Sequence, residues 1–505
     1  MRGPLPAALG AAAAGVAPRF NRAVDVPPAV VNALRDACAV VRDDDEARVG
    51  AGRDWWPLSV VWALRGEAPA LPAVVARPAS PGEVSAVLRI CSAARVPVTA
   101  VAGASGVCGG SVPVFGGVSL DMTALAGVAA VDDESLLVEV GAGTFGDELE
   151  SSLRSSAGLT VGHWPQSVAI STVGGWVACR GAGQYSTRYG KIEDIVAGLE
   201  VVLADGTVIR TGAKGPRAAA GPDLTQVFTG SEGTLGVITS ALLRAHPAPP
   251  AERRAAYRFE SFDEGLDACR RILRRGATPA VLRLYDEAES ARQFDASGSA
   301  VLVVVDEGDP AVIDAAMSVV ADECGRAMGT GPADRWLEHR NELPPLESLV
   351  GAGIVADTVE VSARWSALAG VYRDAITRLS DLEGTIAASA HLSHSYTDGA
   401  CLYFTFAGRS ADPERYYRAA YDAVTGATLD WGGALSHHHG VGLNRGGYMR
   451  SYLGPAFDVL AALKSALDPH GILNPGKLGL PSPFGDPPAV PGPRAGGGTA
   501  TAGGV

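Results

Sequence analysis

The sequence predicts an α+β protein of two bodies: a two-part domain of short strands and helices, then an α+β cap built on an antiparallel sheet. Three observations predict it. The chain has 505 residues, enough for two or three sizeable cores. From about Leu71 to Pro250, short Val/Ile/Ala-rich runs alternate with glycine clusters, the mark of brief strands and tight turns. Beyond the hinge Pro247-Ala248-Pro249-Pro250 the amphipathic stretches lengthen. Helix and strand alternate too irregularly, with too many hairpin-like turns, for a plain doubly wound sheet.

In chain order, residues 1–28 predict a disordered leader, because Pro4, Pro6 and Gly10 interrupt an Ala-rich run that lacks bulky apolar residues. Residues 29–70 predict an N-terminal helical segment, and 71–250 the first body. Its first helix, Pro81–Ala94, has Ser80 as N-cap, Pro81 at the first position and Glu83 in the first turn. Strands follow at Pro97–Ala102 and Leu136–Val140, a helix at Phe145–Ala157, and a strand at Ile195–Leu203 that ends on the hairpin signal Asp205-Gly206. The second body, 251–435, has helices at Asp263–Arg275, Pro310–Met328 and Trp365–Leu379, with strands at Ala300–Val305 and Ala400–Phe406. Residues 436–480 return to the first body, and 481–505, rich in Pro, Gly, Ala and Thr, predict a disordered tail.

Composition excludes several functions. Forty-two Lys+Arg against 55 Asp+Glu leave a net charge of −13 with no basic cluster, which argues against nucleic acid or an anionic membrane surface as a main partner. Seven scattered cysteines with no C-x-x-C pair fit a reducing compartment rather than a disulfide framework, so the cytoplasm is expected. No apolar run is long enough to span a bilayer.

Three small-residue segments carry the first chemical signal. Ala102, Gly103, Ala104, Ser105, Gly106 and Val107 follow a strand and bring almost no side chain, so backbone N–H groups can approach a pyrophosphate. The second segment contains Gln166, Ser167, Ser171, Thr172, Gly174 and Gly175, and leads into Arg180, Gly181 and Ala182; the hydroxyls at Ser171 and Thr172 suit phosphate and ribose. The third contains Glu232, Gly233, Thr234 and Gly236, leading into a strand at Val237 and Ile238. One such loop fits a plain turn; three in one domain make a bound dinucleotide the better reading.

These segments resemble the FAD-binding domain of the vanillyl-alcohol-oxidase (PCMH) type of FAD-linked oxidase. Residues 60–478 resemble one branch of it, the alkyldihydroxyacetonephosphate synthases. The branch-specific likeness lies in Gly174-Gly-Trp176, Tyr189-Gly-Lys-Ile-Glu-Asp194, Pro279-Ala-Val-Leu-Arg-Leu284, Gly399-Ala-Cys-Leu-Tyr-Phe404 and Ser436-His-His-His-Gly-Val-Gly442. Asp468-Pro-His-Gly-Ile-Leu-Asn-Pro-Gly-Lys477 resembles many FAD-linked oxidases. Ala102 and Ala104 stand where the family usually has glycine. The first loop lacks the histidine that related enzymes use for a covalent flavin link, so the resemblance implies non-covalent FAD.

Five of nine histidines lie at 391, 394 and 437–439. Three readings are open. His437 and His439 on a strand could share a metal with His391 or His394, although no Cys or carboxylate-rich set completes a site and no metal is expected. They could line a polar cavity. The resemblance favours the third, in which His437, His438 and His439 lie at the flavin and bind or polarise a phosphorylated substrate as neutral imidazoles tuned near pH 7. Strand alternation puts Cys401, Tyr403 and Thr405 on one face and Leu402, Phe404 and Phe406 on the other. The resemblance makes Tyr403 the acid/base group, and Tyr396 reads as packing. Arg283, a charge in the apolar run Leu282-Arg-Leu284, matches a family arginine needed for activity, and Arg340 is the candidate for a second, substrate-binding one.

The branch implies a redox-neutral exchange in which the acyl group of acyl-dihydroxyacetone phosphate is replaced by a fatty alcohol, as in ether-lipid synthesis. The expected partners are this lipid-like phosphorylated substrate, a membrane touched peripherally, and a second copy in a homodimer. A chain ending Gly-Gly-Val505 carries no peroxisomal address. The alternative is a FAD-linked oxidase or dehydrogenase of a 2-hydroxy acid or secondary metabolite.

Overall fold

The computed structural model describes residues 14–212, 215–342 and 346–488. Three sheets organise it. In the first, strands run in the order Val40–Arg42, Val74–Arg77, Val118–Asp121, Val98–Val101; the last three are parallel and the first antiparallel. The helix Pro81–Ala94 makes one parallel crossover. Its start is the predicted one: Ser80 Oγ accepts from the Glu83 N–H at 3.2 Å, while Val84, Val87, Leu88 and Cys91 turn into the core. The second sheet is antiparallel, ordered Val208–Arg210, Val196–Val202, Val237–Arg244, Leu137–Gly141, Val128–Asp132. The helices Gly146–Ala157 and Val173–Cys179 pack on it through Leu149, Leu153, Val173 and Trp176.

The third sheet belongs to the cap. Seven antiparallel strands run in the order Arg326–Gly329, Ala251–Phe259, Ala300–Gly308, Val281–Tyr285, Thr385–Ser395, Gly399–Arg409, Ile354–Arg364. Helices Phe262–Arg274, Trp365–Ser380 and Pro413–Asp430 cover one face, where Leu282, Leu284, Leu392, Leu402, Phe404 and Phe406 form the core. Alternation sends the intervening residues to the opposite face. Register then lines up Tyr285, His391, Tyr403 and Glu360 across four adjacent strands, with Arg283 two residues before Tyr285 on the same face. The expected split of Cys401, Tyr403 and Thr405 from Leu402, Phe404 and Phe406 is what the sheet does.

Several expectations need correction. Residues 14–28 are not a loose leader: Ala17–Pro18 pairs with Glu67–Ala68, the Val24 N–H donates to Phe115 O at 2.9 Å, and Phe20 meets Trp62 edge-on with ring centroids 5.4 Å apart. Apolar Phe20 and Val24 supply the burial that a disordered segment lacks. At the other end Phe484 packs on Phe115, centroids 5.9 Å apart, so the tail is ordered at least this far; residues 1–13 and 489–505 lie outside the described residues. The helix expected over Pro310–Met328 stops at Glu323, and Arg326–Gly329 becomes an edge strand paired with Ala256–Arg258. Among the described residues, no helix is long and apolar enough to cross a membrane.

Candidate active site

The glycine segments converge. Gly103 lies so close to the second segment that a Cβ there would come within 2.1 Å of Ile170 O. The third segment ties to the second through the Gly230 and Glu232 N–H groups, which donate to Val177 O and Ala178 O at 2.8 and 2.9 Å. The C-terminal motif clasps first and third: Asn474 Nδ2 donates to Gly110 O at 3.0 Å and to Glu232 O at 2.6 Å. Among the described residues the amides of 103–107 donate to no protein acceptor, although Gly103 and Ala104 are buried. Ser111 and Ser231 bury hydroxyls that have no hydrogen-bond partner among the described residues. Buried donors without acceptors are rare unless something else satisfies them, so this surface fits the pyrophosphate of a dinucleotide.

Several side chains assigned to the cofactor are committed elsewhere. The Ser171 hydroxyl donates to Ser167 O at 2.9 Å and accepts from Trp176 Nε1 at 2.7 Å, so it fastens its own helix. Gln166 Nε2 donates to Glu342 O at 2.5 Å, across to the cap. The Glu232 carboxylate accepts from the Val441 and Gly442 N–H groups at 2.5 and 2.8 Å, and Arg180 pairs with Glu193 at 3.2 Å. Thr234 Oγ1 donates to Ser231 O at 2.7 Å, and Val237 and Ile238 pack into the apolar cores, so in this region it is the backbone of the three segments that remains free of such commitments. Ala104 sits at φ 51°, a left-handed conformation that explains why glycine suits this position better.

The cap supplies the side chains. Tyr403 hydrogen-bonds His438 Nε2 through its hydroxyl, and its ring stacks on His391 with centroids 4.8 Å apart. His391 Nε2 accepts from Arg283 Nη2 at 2.6 Å, so its proton is on Nδ1, which donates to Glu289 at 2.8 Å. Arg283 Nε also donates to the Tyr285 hydroxyl at 2.8 Å. The three histidines are not on a strand: 436–440 is a loop wrapped around one carboxylate. Glu360, fully buried, accepts from the His437 N–H, from the His438 and His439 N–H groups at 3.3 and 2.9 Å, from Ser436 Oγ at 2.8 Å and from Arg445 Nη1 at 2.7 Å. Burial alone would push Glu360 up, but the Arg445 charge, His439 and the backbone donors hold it at about 2. The loop closes against the first segment, where a Cβ on Gly442 would lie 2.2 Å from Cys108 O.

The sequence reading missed part of this site. The extra residue in the strand Thr385–Ser395 is His394, left unpaired between Ser393↔Cys401 and Ser395↔Ala400 and set at φ 52°. That bulge re-aims its ring to stack on His437, centroids 5.1 Å apart. Tyr396 is not packing alone: its hydroxyl lies 3.1 Å from His437 Nε2 and 3.2 Å from Ser186 Oγ. Ser186, Glu289, Glu360 and Arg445 were not foreseen; the first three lie far in sequence from the histidines they meet, while Arg445 follows His439 closely, and buried charge in an apolar strand, as at Glu360, was a readable signal. Cys401 brings its sulfur near His437 and His438, with ligand atoms within 4.8 Å of one another, so a cysteine does join the imidazoles where no Cys set was expected to complete a site. All four ring nitrogens of that histidine pair are already in hydrogen bonds.

Two further corrections concern charge. Arg340 does not join the cluster. Its Nη1 donates to Gln184 Oε1 at 2.9 Å and its guanidinium lies over Tyr185, 4.9 Å from the ring centroid, in a cleft it shares with Arg154, Trp164 and Arg254. The imidazoles are not tuned near pH 7 either. Burial pushes His394 down to about 3 and His439 to about 4, and sets His437 and His438 well below their ordinary value, so all are neutral at pH 7. Burial likewise raises the Tyr403 hydroxyl well above the usual phenol value.

Comparison with known proteins places this geometry. Residues 72–212 match the FAD binding domain model and 248–478 the model of the FAD linked oxidases, C-terminal domain. An FAD-linked oxidoreductase of Escherichia coli (strain K12), YgcU, is 32% identical over 433 residues, covering 81% of this chain and 89% of that protein. The alkyldihydroxyacetonephosphate synthase of Dictyostelium discoideum is 29% identical over 456 residues, covering 82% and 74%. A solved alkyldihydroxyacetonephosphate synthase superposes with TM-score 0.75 at 26% identity, over 90% of this chain and 86% of that one. The fold is therefore the two-part FAD-binding fold of the vanillyl-alcohol-oxidase type with an α+β cap. Matched in both halves, and alike to a relative over most of both chains, this protein belongs to the FAD-linked oxidase family and is an FAD-dependent enzyme.

Proposed function

We propose that the enzyme is an alkyldihydroxyacetonephosphate synthase-like transferase that holds FAD without a covalent link and exchanges the acyl group of acyl-dihydroxyacetone phosphate for a fatty alcohol. One observation carries this reading: Tyr403, an acid/base group, and Arg283, a guanidinium fork, share one face of the cap sheet through His391, beside the histidine loop that closes against Cys108. In this reading Tyr403 takes the proton beside the ketone, and the neutral histidines orient the substrate. Arg283, whose Nη1 donates to no described residue, binds the phosphate. FAD, when bound, supplies the electron-accepting ring that no side chain offers. Arg340, in a cleft of its own with Arg154, Trp164 and Arg254, is the candidate for the substrate's far end. A homodimer and peripheral contact with lipid complete the proposal.

The second reading is FAD-linked oxidation of a 2-hydroxy acid or secondary metabolite; the 32% identity to a relative named as an oxidoreductase supports it. Fold cannot choose between them, since function lives in the site. The test is anaerobic titration of dihydroxyacetone phosphate, its acyl ester and simple 2-hydroxy acids against wild type and Arg283→Lys. Phosphorylated ligands should perturb the flavin spectrum without lasting reduction, and the lysine variant should bind them about 10- to 100-fold more weakly because an ammonium lacks the fork. Flavin reduced by a hydroxy acid, with phosphorylated ligands inert, moves the assignment to the oxidase. Acid precipitation should release the yellow flavin to the supernatant.

A further inference from the structure

Three hydrogen bonds run end to end outward from Tyr403. Its hydroxyl meets His438 Nε2, His438 Nδ1 meets His437 Nδ1 at 2.9 Å, and His437 Nε2 meets the Tyr396 hydroxyl at 3.1 Å. Ser186 Oγ, 3.2 Å from that hydroxyl and 2.8 Å from His394 Nδ1, holds the far end. A neutral imidazole has one N–H, so it donates through one nitrogen and accepts through the other. The direction of one bond therefore sets the direction of all three, and only two proton orders keep every bond. In the outward order Tyr403 donates to His438, which leaves its oxygen lone pairs for a substrate proton. In the inward order His438 donates to Tyr403, whose own hydrogen points away to be given back. The two imidazoles are more than nine-tenths buried, so bulk water does not stand in for them.

We propose that Tyr403, His438, His437 and Tyr396 form a proton relay that switches Tyr403 between base and acid, with Tyr396 as its outlet to solvent. The relay rests on the functional reading above. When the substrate C–H bond breaks, an O–H bond forms on Tyr403 and the electron pair stays with the substrate carbon. The Tyr403 hydrogen passes to His438 Nε2, the His438 Nδ1 hydrogen to His437 Nδ1, and the His437 Nε2 hydrogen to Tyr396. Tyr396 is half-buried and followed by exposed Thr397 and Asp398; it gives its own hydrogen to water. Every member ends neutral, one proton has left, and the chain stands in the inward order, ready to return a proton when the exchanged product forms. A group that removes and restores a proton in one redox-neutral cycle is served by such a two-way device, which also lets the abstracted proton exchange with solvent. Tyr396 acts through the histidines and is a positioning and relay residue rather than one that touches substrate.

The test follows hydrogen exchange rather than turnover. FAD-loaded enzyme is incubated in D2O with the palmitoyl ester of dihydroxyacetone phosphate and no alcohol, and deuterium entering the carbon beside the ketone is measured by mass spectrometry. Wild type should exchange. Tyr396→Phe keeps the ring and loses the outlet, so exchange should slow about 100-fold, the low end of what positioned proton transfer contributes, with FAD content and ester affinity unchanged. Added imidazole, a small diffusible proton carrier, should restore exchange in that variant. His437→Asn interrupts the same path one step earlier and should show the same loss. Wild-type exchange with both variants within about twofold of it overturns the relay and leaves the functional reading standing; so does a loss that imidazole does not repair. Wild type that binds the ester yet exchanges nothing overturns the functional reading and the relay together.

Discussion

In the flavin-binding part the working surface is backbone: five consecutive amides at 103–107 without partners among the described residues, set among glycines and alanines whose side chains stay out of the way. In the cap it is side chain: Tyr403, His391, Arg283 and the histidine loop, each held by a buried partner such as Glu289 or Glu360. The difference teaches where each half is vulnerable. A backbone cradle depends on closeness and conformation, so it fails when a Cβ intrudes or a φ angle is strained. A side-chain site depends on carboxylates that no ligand touches, so it fails when a distant buried charge is lost.

The sharpest way to break this contrast is Tyr403→Phe. Turnover should fall by roughly 10²–10⁴ while FAD content and thermal stability stay near wild type. A variant with near-normal turnover would make the cap face a packing surface and erase the distinction between the halves. Next in size is Glu360→Ala. Arg445, fully buried, would lose the carboxylate to which it donates, and three loop amides would lose their acceptor. Breaking a buried pair costs about 3–5 kcal/mol, read as a lowered unfolding midpoint; Glu360→Gln, which keeps the shape and an acceptor oxygen, should cost less.

A third measurement sharpens the comparison from the flavin side. His163 is fully buried in the first body against Trp176, both ring nitrogens lack partners among the described residues, and burial lowers it to about 3. A group whose folded value is depressed contributes stability that is present above its unfolded value, about 6.5, and lost as pH falls toward its folded one. The stability advantage of wild type over His163→Phe should therefore shrink by about 1.4 kcal/mol per pH unit below about 6.5, whatever its sign at neutral pH. A pH-independent difference would mean the imidazole is not neutral and buried in the folded state. Smallest is Ala104→Gly, which relieves a left-handed alanine at φ 51° and should raise stability by at most about 1 kcal/mol while strengthening FAD retention. Weaker FAD retention in that variant would show that the alanine methyl, rather than the strain, matters there.

Much of this was legible because it is local. Ser80, Pro81 and Glu83 announce a helix start that needs no tertiary partner, and the alternation from Cys401 to Phe406 settles which side of its strand Tyr403 takes. The helix overrun past Glu323 came from reading apolar content as helical, when pairing with Ala256–Arg258 claimed Arg326–Gly329 for the sheet. A hydroxyl beside glycines suits a phosphate, but the Ser171 hydroxyl accepts from the Trp176 indole five residues later, a contact that only the folded turn creates.

The sequence by itself determined that a dinucleotide is bound, with FAD implied by the family resemblance, the order of the two bodies, and the residue types of the site, because small-residue segments, strand alternation and a histidine run are properties of neighbouring residues. Only the tertiary structure decided which groups meet. Tyr285, His391, Tyr403 and Glu360 share one row through strand register, His394 reaches the histidine loop through a bulge, and Glu360 gathers the amides of 437–439 from a strand some eighty residues away. Register and burial are collective: they follow from how whole sheets stack their apolar faces, and no single segment carries them. The same burial decides the electrostatics, since an imidazole or carboxyl takes its working protonation state from the groups packed around it.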